Sequence, residues 1–181
     1  MAWPAVVGTL GGIIITSIAA FIVQVWQWRR QKEREVAAAR REAYGQYMGA
    51  ANHYFVSLLN LSWALRNAPD QVKVRTDEAE LLRPEVLSAK GLADILAVEQ
   101  GTKNAIDTLR ACLWDINYVL YEARSGRLDP GTLPRGAEWD AKYSSVRDYF
   151  VETIQFELGL VEKISREVPP PRESHSAHKA P

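Results

Sequence analysis

The sequence predicts an all-α protein: a single N-terminal transmembrane helix that continues into an antiparallel cytoplasmic helical bundle of three long helices. Three observations predict this fold. An uncharged apolar stretch is long enough to cross a membrane, and apolar residues then recur at spacings of three and four, which is typical of helices. No segment alternates between apolar and polar residues for long enough to predict a strand.

The predicted transmembrane segment is residues 3–23, WPAVVGTLGGIIITSIAAFIV, which contains 21 uncharged residues. At about 1.5 Å per residue, this length crosses a hydrocarbon core of roughly 30 Å. Trp3 stands at one end, and Trp26 and Trp28 follow the other, where their rings favour the headgroup level. The alternative is a cleaved signal peptide, but that class carries its basic residues before the apolar run. Here the first basic residue is Arg29.

A basic collar follows at residues 29–42, with six Lys or Arg and three Glu, a net charge of +3. The remainder of the chain has 16 basic and 19 acidic residues, a net charge of −3. Because Lys and Arg accumulate on the cytoplasmic side, we expect the N-terminus outside and the C-terminal domain in the cytoplasm. The collar is either only a topology signal or a site that anionic lipids stabilise by about 1 kcal/mol per charge. The predicted interface residues are Trp3, Trp26, Trp28, Arg29, Arg30, Lys32 and Arg34.

This layout, with an RREAY element at Arg40–Tyr44, resembles that of bacterial proteins with one membrane anchor and a helical body. The resemblance implies a location at the bacterial inner membrane and no particular activity. The single Cys112 fits a reducing compartment.

Small residues recur every four positions along the predicted membrane helix, at Gly8, Gly12, Thr16 and Ala20. This spacing lets two membrane helices approach closely, and it therefore predicts a homo-oligomer formed through that face. Chance is the alternative, since such residues are common in membrane helices.

We predict four regions: an anchor (1–28), a basic juxtamembrane helix (29–42), a helical bundle (43–168) and a disordered Pro-rich tail (169–181). Residues 43–65 are uncharged, so a second membrane span is an alternative, but their polar residues favour a buried bundle helix. The first bundle stripe is Tyr47, Ala51, Tyr54, Leu58, Leu61 and Leu65.

A break at residues 67–76 and a helical turn at 77–82 are expected before Pro84. A second helix over 85–124 is predicted to bury a stripe that starts with Leu92 and Ile95 and continues with Thr102, Ile106, Leu109, Leu113, Ile116 and Leu120. Gly126 is the expected residue just past its end. A third helix over 137–167 ends at the prolines 169–171.

The sequence contains no recognisable catalytic, cofactor or metal motif. His53 has no Glu three residues before it, so a di-iron bundle motif is absent, and we expect a partly buried histidine there. Cys112 is predicted to be a buried structural thiol, and Trp63, Trp114 and Trp139 are predicted to be core residues. The zero net charge argues against nucleic-acid binding.

The function expected from these observations is non-catalytic: a membrane-anchored scaffold or regulatory module that contacts the lipid bilayer and a protein partner that the sequence does not identify. The alternative is a membrane-perturbing or pore-forming oligomer that uses the N-terminal helix.

Overall fold

The computed structural model describes the backbone of residues 3–164 and the side chains of residues 23–164. The chain divides into two compact units, Met1–Ala39 and Arg40–Pro181. The described part contains α-helices, two short 3-10 turns and no strand, which confirms the predicted all-α class. The α-helices are α1 (Trp3–Asn67), α2 (Val72–Leu96), α3 (Gln100–Arg124) and α4 (Gly136–Glu157).

The first unit contains the predicted anchor and most of the basic collar. From residue 23 to residue 39 almost every side chain is exposed. Within the part of the chain that the structure describes, no helix is both long enough and apolar enough to cross a membrane. The side chains of the predicted span, except that of Val23, lie outside the described residues, as does the predicted tail at 169–181.

The second unit is a helical bundle, as predicted, and helices that follow each other along the chain run antiparallel. Lys90 on α2 pairs with Asp107 on α3, whereas the earlier residue Arg83 lies over the later residue Trp114, so the two helices run in opposite directions. The α1 and α4 helices also run antiparallel, because later residues of α1 contact earlier residues of α4. These α1–α4 pairs are Tyr44 with Glu157, Tyr47 with Phe150, and Phe55 with Tyr143.

The core of the bundle is built mainly by large side chains of α1, α3 and α4. The predicted α1 stripe is confirmed, because Tyr47, Tyr54, Leu58 and Leu61 are all buried. Residues 43–65, which were uncharged enough to suggest a second span, therefore supply one wall of this core. The predicted stripe of the following helix is buried from Thr102 to Leu120 on α3. The last long helix was expected to bury an apolar face that runs from Trp139 to Ile164. That face is buried from Trp139 to Ile154, whereas Leu160, beyond the end of α4, is exposed.

The predicted bundle of three long helices is wrong, because the bundle has four. The expected helix over 85–124 is interrupted at residues 97–99, where Ala97 and Glu99 adopt extended backbone conformations. Ala97 is buried at this corner, and the Lys103 N–H donates to the Glu99 carbonyl to close the first turn of α3. The interruption lets α2 fold back along α3, so that both helices bury a face.

The predicted break at 67–76 is present but shorter, since only residues 68–71 separate α1 from α2. The α2 helix begins at Val72 and continues through Pro84, so the expected separate turn at 77–82 is wrong. Proline inside a helix removes one backbone hydrogen bond and costs about 3 kcal/mol. Two buried side chains flank it along the sequence, Ala79 and Val86. Their burial anchors α2 on both sides of the proline, and this packing offsets the local cost.

The buried face of α2 also differs from the prediction. Ala79, Val86 and Ala93 recur every seven residues and are buried, so α2 contacts the core through small side chains. Leu92 and Ile95, predicted to be in the core, are exposed, with 81% of Ile95 accessible. The reason is that Leu92 and Ile95 lie on a different face of the helix from the seven-residue stripe.

Glycines in the left-handed conformation end α3 and α4. Gly126 has φ of +73°, which confirms the predicted helix end, and Arg127 N–H donates to the Glu122 carbonyl. Gly159, with φ of +69°, ends α4 in the same way, so the predicted extension to residue 167 is wrong. Glycine adopts this conformation with the least steric strain because it has no Cβ. The backbone N–H of the next residue can then donate to a carbonyl of the last helical turn.

We expect leucine-to-alanine substitutions to separate the core of the bundle from its surface. Leu113→Ala removes a fully buried side chain and should lower the free energy of unfolding by about 2–5 kcal/mol. The matched change Leu81→Ala, at a residue that is 78% exposed, should alter it by about 0.5 kcal/mol or less. Urea unfolding of the full chain in mild detergent, followed by near-UV circular dichroism, measures both values. Equal losses would contradict this assignment of the core.

Candidate functional site

The predicted membrane interface is the first candidate site. Trp26 and Trp28 are both more than half exposed, and each ring has a basic side chain four residues later over it. The Arg30 guanidinium carbon lies 3.6 Å from the Trp26 ring centroid, and Lys32 Nζ lies 4.2 Å from that of Trp28. Cation–π contact of this kind contributes about 0.5–1 kcal/mol at an exposed site. The structure thus brings together two pairs of the predicted interface residues.

The other predicted residues of the first unit are placed differently. Arg29 and Arg34 are exposed and take no part in these two cation–π pairs. The side chain of Trp3 and those of the small-residue stripe lie outside the described residues, so the stripe stays a prediction. That stripe is Gly8, Gly12, Thr16 and Ala20.

Inside the bundle, tyrosine hydroxyls form hydrogen bonds that join different helices and different parts of the core. Tyr47 Oη donates to the Ile106 carbonyl at 3.1 Å, and Tyr143 Oη donates to Asn52 Oδ1 at 2.7 Å. Burial raises the pKa of both phenols, since a charged phenolate is poorly solvated in the core. Burial also raises the pKa of Tyr54 to about 12. These groups are neutral hydrogen-bond donors or packing residues at neutral pH.

A second polar cluster joins the end of α4 to α1. Tyr44 Oη donates to Glu157 Oε1 at 2.8 Å, and burial, followed by this hydrogen bond, raises the pKa of Tyr44. Glu157 Oε2 and Arg40 Nε are buried and have no hydrogen-bond partner among the described residues. The cluster tethers two helix segments, and we see no nucleophile beside it.

Lys90 bridges α2 and α3. Its ammonium group pairs with Asp94 on its own helix and with Asp107 at 3.1 Å on α3. Burial alone would lower the pKa of Lys90, but the hydrogen bonds to the two aspartates outweigh it and raise the pKa. Lys90 is therefore a charged structural link at neutral pH, unlike the neutral lysines that serve as bases or nucleophiles.

An aromatic groove lies where the end of α1, the first half of α2 and the second half of α3 meet. It is a cavity of about 280 Å³, and the buried Leu61 and Leu120 are among its apolar residues. Arg83 and Arg124 provide its two positive charges, and Glu80 provides the one negative charge. The remaining lining residues are Trp114, Asn117, Tyr118 and Tyr121.

The sequence did not single out this groove, because its residues come from three helices. Trp114 was predicted as a core residue, and half-burial at the groove only partly fits that prediction. The signal that could have found it is the run of aromatic residues Trp114, Tyr118 and Tyr121 on α3. Their spacing of four and three places them on one side of the helix.

The remaining predicted residues divide between core and surface. Trp139 and Cys112 are buried, as predicted. Trp63 is 55% exposed and His53 is also exposed, so their predicted burial is wrong. Neither residue belongs to the buried stripe of α1. Within the described chain, no three His, Cys, Asp or Glu side chains are grouped so that they could hold a metal ion.

Comparison with known proteins adds no relative: no family model, curated protein or solved structure matches this chain.

We expect alkali to destabilise the bundle from about pH 10 upward. The buried tyrosines keep their proton to higher pH in the folded state than in the unfolded chain, so the folded state binds more protons in that range. The free energy of unfolding then falls by up to about 1.4 kcal/mol per pH unit for each such tyrosine. Lys90 acts in the same direction, because its ion-pair contribution is present below the ordinary lysine value of 10.5 and is lost as pH rises through its raised pKa.

Urea unfolding at about pH 8 and about pH 11 measures this loss of stability. Tyr54→Phe provides the control, since it removes one group whose pKa is raised to about 12. The variant should lose less stability than the original chain between those two pH values. A free energy of unfolding that does not fall between them would contradict the burial of these phenols.

Proposed function

We propose that this chain is a non-catalytic, single-pass membrane protein whose helical bundle serves as a scaffold or regulatory interaction module at the cytoplasmic face. In this proposal, residues 3–23 cross the bilayer with the N-terminus outside. The bacterial inner membrane is the proposed location.

The observation that carries the proposal is the junction between the uncharged stretch and the basic collar. Trp26 and Trp28 lie within five residues of the end of the apolar stretch at Val23, and Arg30 and Lys32 lie over their rings. Amphipathic rings favour the headgroup region, and basic residues beside a span favour the cytoplasmic side. A membrane interface accommodates both groups at once, with the indole rings among the headgroups and the cations toward water.

The surface of α2 supports the second part of the proposal, an interaction module. Val74, Leu81, Leu92 and Ile95 lie along one side of α2 and are exposed, although each is apolar. Apolar side chains exposed along one side of a helix are available for contact with a partner helix. Among the described residues, no three His, Cys, Asp or Glu are grouped to hold a metal ion, and the core tyrosines serve as hydrogen-bond donors and packing residues, so binding is the activity that we propose for the bundle.

A pore-forming or membrane-perturbing oligomer is the second candidate, and a specific pattern favours it. Gly8, Gly12, Thr16 and Ala20 recur at a spacing that brings membrane helices together. Association through this stripe is compatible with a scaffold as well, so membrane permeability distinguishes the two functions.

Fractionation tests the anchor. We expect the full chain to remain in the membrane pellet after alkaline carbonate washing, because about 20 apolar residues bind the bilayer effectively irreversibly. The chain that lacks residues 1–28 should move to the supernatant. A C-terminal fusion of the full chain to a reporter that works only in the cytoplasm should be active. Full release of the intact chain by carbonate would contradict a transmembrane anchor.

Substitution in the stripe tests self-association. Gly12→Ile should reduce crosslinked dimer in membranes by about tenfold, because the larger side chain keeps the two helices apart. Ser17→Ile, at a small residue on another side of the same helix, is the matched control and should leave dimer unchanged. If induced expression causes dye leakage, and Gly12→Ile abolishes that leakage, the result favours the pore. If the membranes stay intact, the result favours the scaffold.

A further inference from the structure

We propose that the aromatic groove binds an acidic segment of a partner protein, with one apolar side chain inserted in the groove and a carboxylate paired with Arg124. The inference rests on the proposed interaction function and names the chemistry of the partner.

The groove has the form of an anchor pocket for a side chain. Leu61 and Leu120 are fully or almost fully buried, so the pocket is built on the bundle core. Tyr118 lines it with 62% of its surface exposed, and Tyr121 is also exposed. Binding hot spots typically combine such a packed apolar base with aromatic and arginine side chains that a partner covers.

The charges of the groove favour an anionic partner. Glu80 Oε2 lies 3.7 Å from Arg83 Nη1, so these two side chains largely balance each other. Arg124 forms no ion pair among the described residues, and its guanidinium carbon lies 5.6 Å from the Tyr121 ring centroid. Arg127 also approaches Tyr121, at 5.9 Å, but it is paired with Glu122. Arg124 is therefore the unpaired charge at the groove, and its forked donors match a carboxylate.

Trp114 and Tyr121 already have neighbours over or beside their rings, which favours a peptide over a nucleotide that would stack a base on them. Arg83 lies over the Trp114 ring at 5.6 Å, and Tyr54 packs beside the same ring at 6.0 Å. The Tyr121 ring already contacts two guanidinium groups. A cavity of about 280 Å³ is also small for a ligand pocket but sufficient for one large apolar side chain.

Fluorescence anisotropy tests the proposal with the full chain in a nonionic detergent. The probe is a labelled peptide with a central leucine pair between two blocks of glutamate. Two further peptides replace the leucines by serine or the glutamates by lysine. We expect saturable binding of the first peptide alone, weakened by added salt because the charges at the rim of the groove are exposed to solvent.

Two charge reversals locate the binding site. Arg124→Glu should weaken binding by about tenfold or more, because it replaces attraction at the groove by repulsion. Lys103→Glu is the control, since Lys103 is an exposed basic residue of α3 outside the groove lining, and it should change binding by about twofold or less. Tyr118→Ala should weaken binding about threefold through loss of a groove wall. Thermal unfolding followed by circular dichroism checks that each variant folds.

Several outcomes would overturn the inference: no saturable binding, equal binding of the serine peptide, equal losses from both reversals, or competition by adenosine monophosphate at the same site. Membrane fractionation remains a separate readout. Loss of peptide binding in a chain that stays in the membrane pellet rejects only the groove, whereas release from the membrane with intact peptide binding rejects only the anchor.

Discussion

The side chain of Tyr47 connects three helices at one level of the bundle. Its ring meets Phe150 of α4 edge-on at a centroid distance of 5.6 Å, and its hydroxyl donates to the Ile106 carbonyl of α3. Because Tyr47 is fully buried, an unpaired hydroxyl there would cost about 1–3 kcal/mol. The ring and the hydroxyl together therefore constrain the register of α1 against both neighbours. At the next level, Tyr143 stacks on Phe55 and donates to Asn52, which ties α1 to α4 again.

The position of α2 follows from this arrangement. Large side chains of α1, α3 and α4 occupy most of the core, so the helix that covers them contacts it through Ala79, Val86 and Ala93. The larger residues of α2 then face outward, and Leu81 and Ile95 are the most exposed apolar side chains of the described bundle. This explains why a helix that ends at a buried alanine corner presents so much apolar surface. The same packing leaves the aromatic groove between α1, α2 and α3.

The two candidate sites were predictable to different degrees. The membrane interface depends on residues that are neighbours on one helix, so the positions of Trp26 and Arg30 four residues apart already indicate contact. The groove depends on residues separated by many positions along the chain, such as Leu61, Arg83 and Arg124. Their proximity requires the chain to reverse direction between α2 and α3. This reversal occurs at residues 97–99, where the helical pattern alone predicts one continuous helix.

The sequence by itself determined the helical class, the buried stripe of α1 and the end of α3 at Gly126. These features are local, because helical periodicity places Tyr47 and Tyr54 on one face and only glycine adopts positive φ without strain. Only the tertiary structure decided which face of α2 is buried, where the predicted second helix divides, and that Trp63 and His53 are exposed. The α2 sequence carries two apolar faces, one of small and one of large residues. The space left by the other helices selects between them, and that space is a property of the assembled bundle.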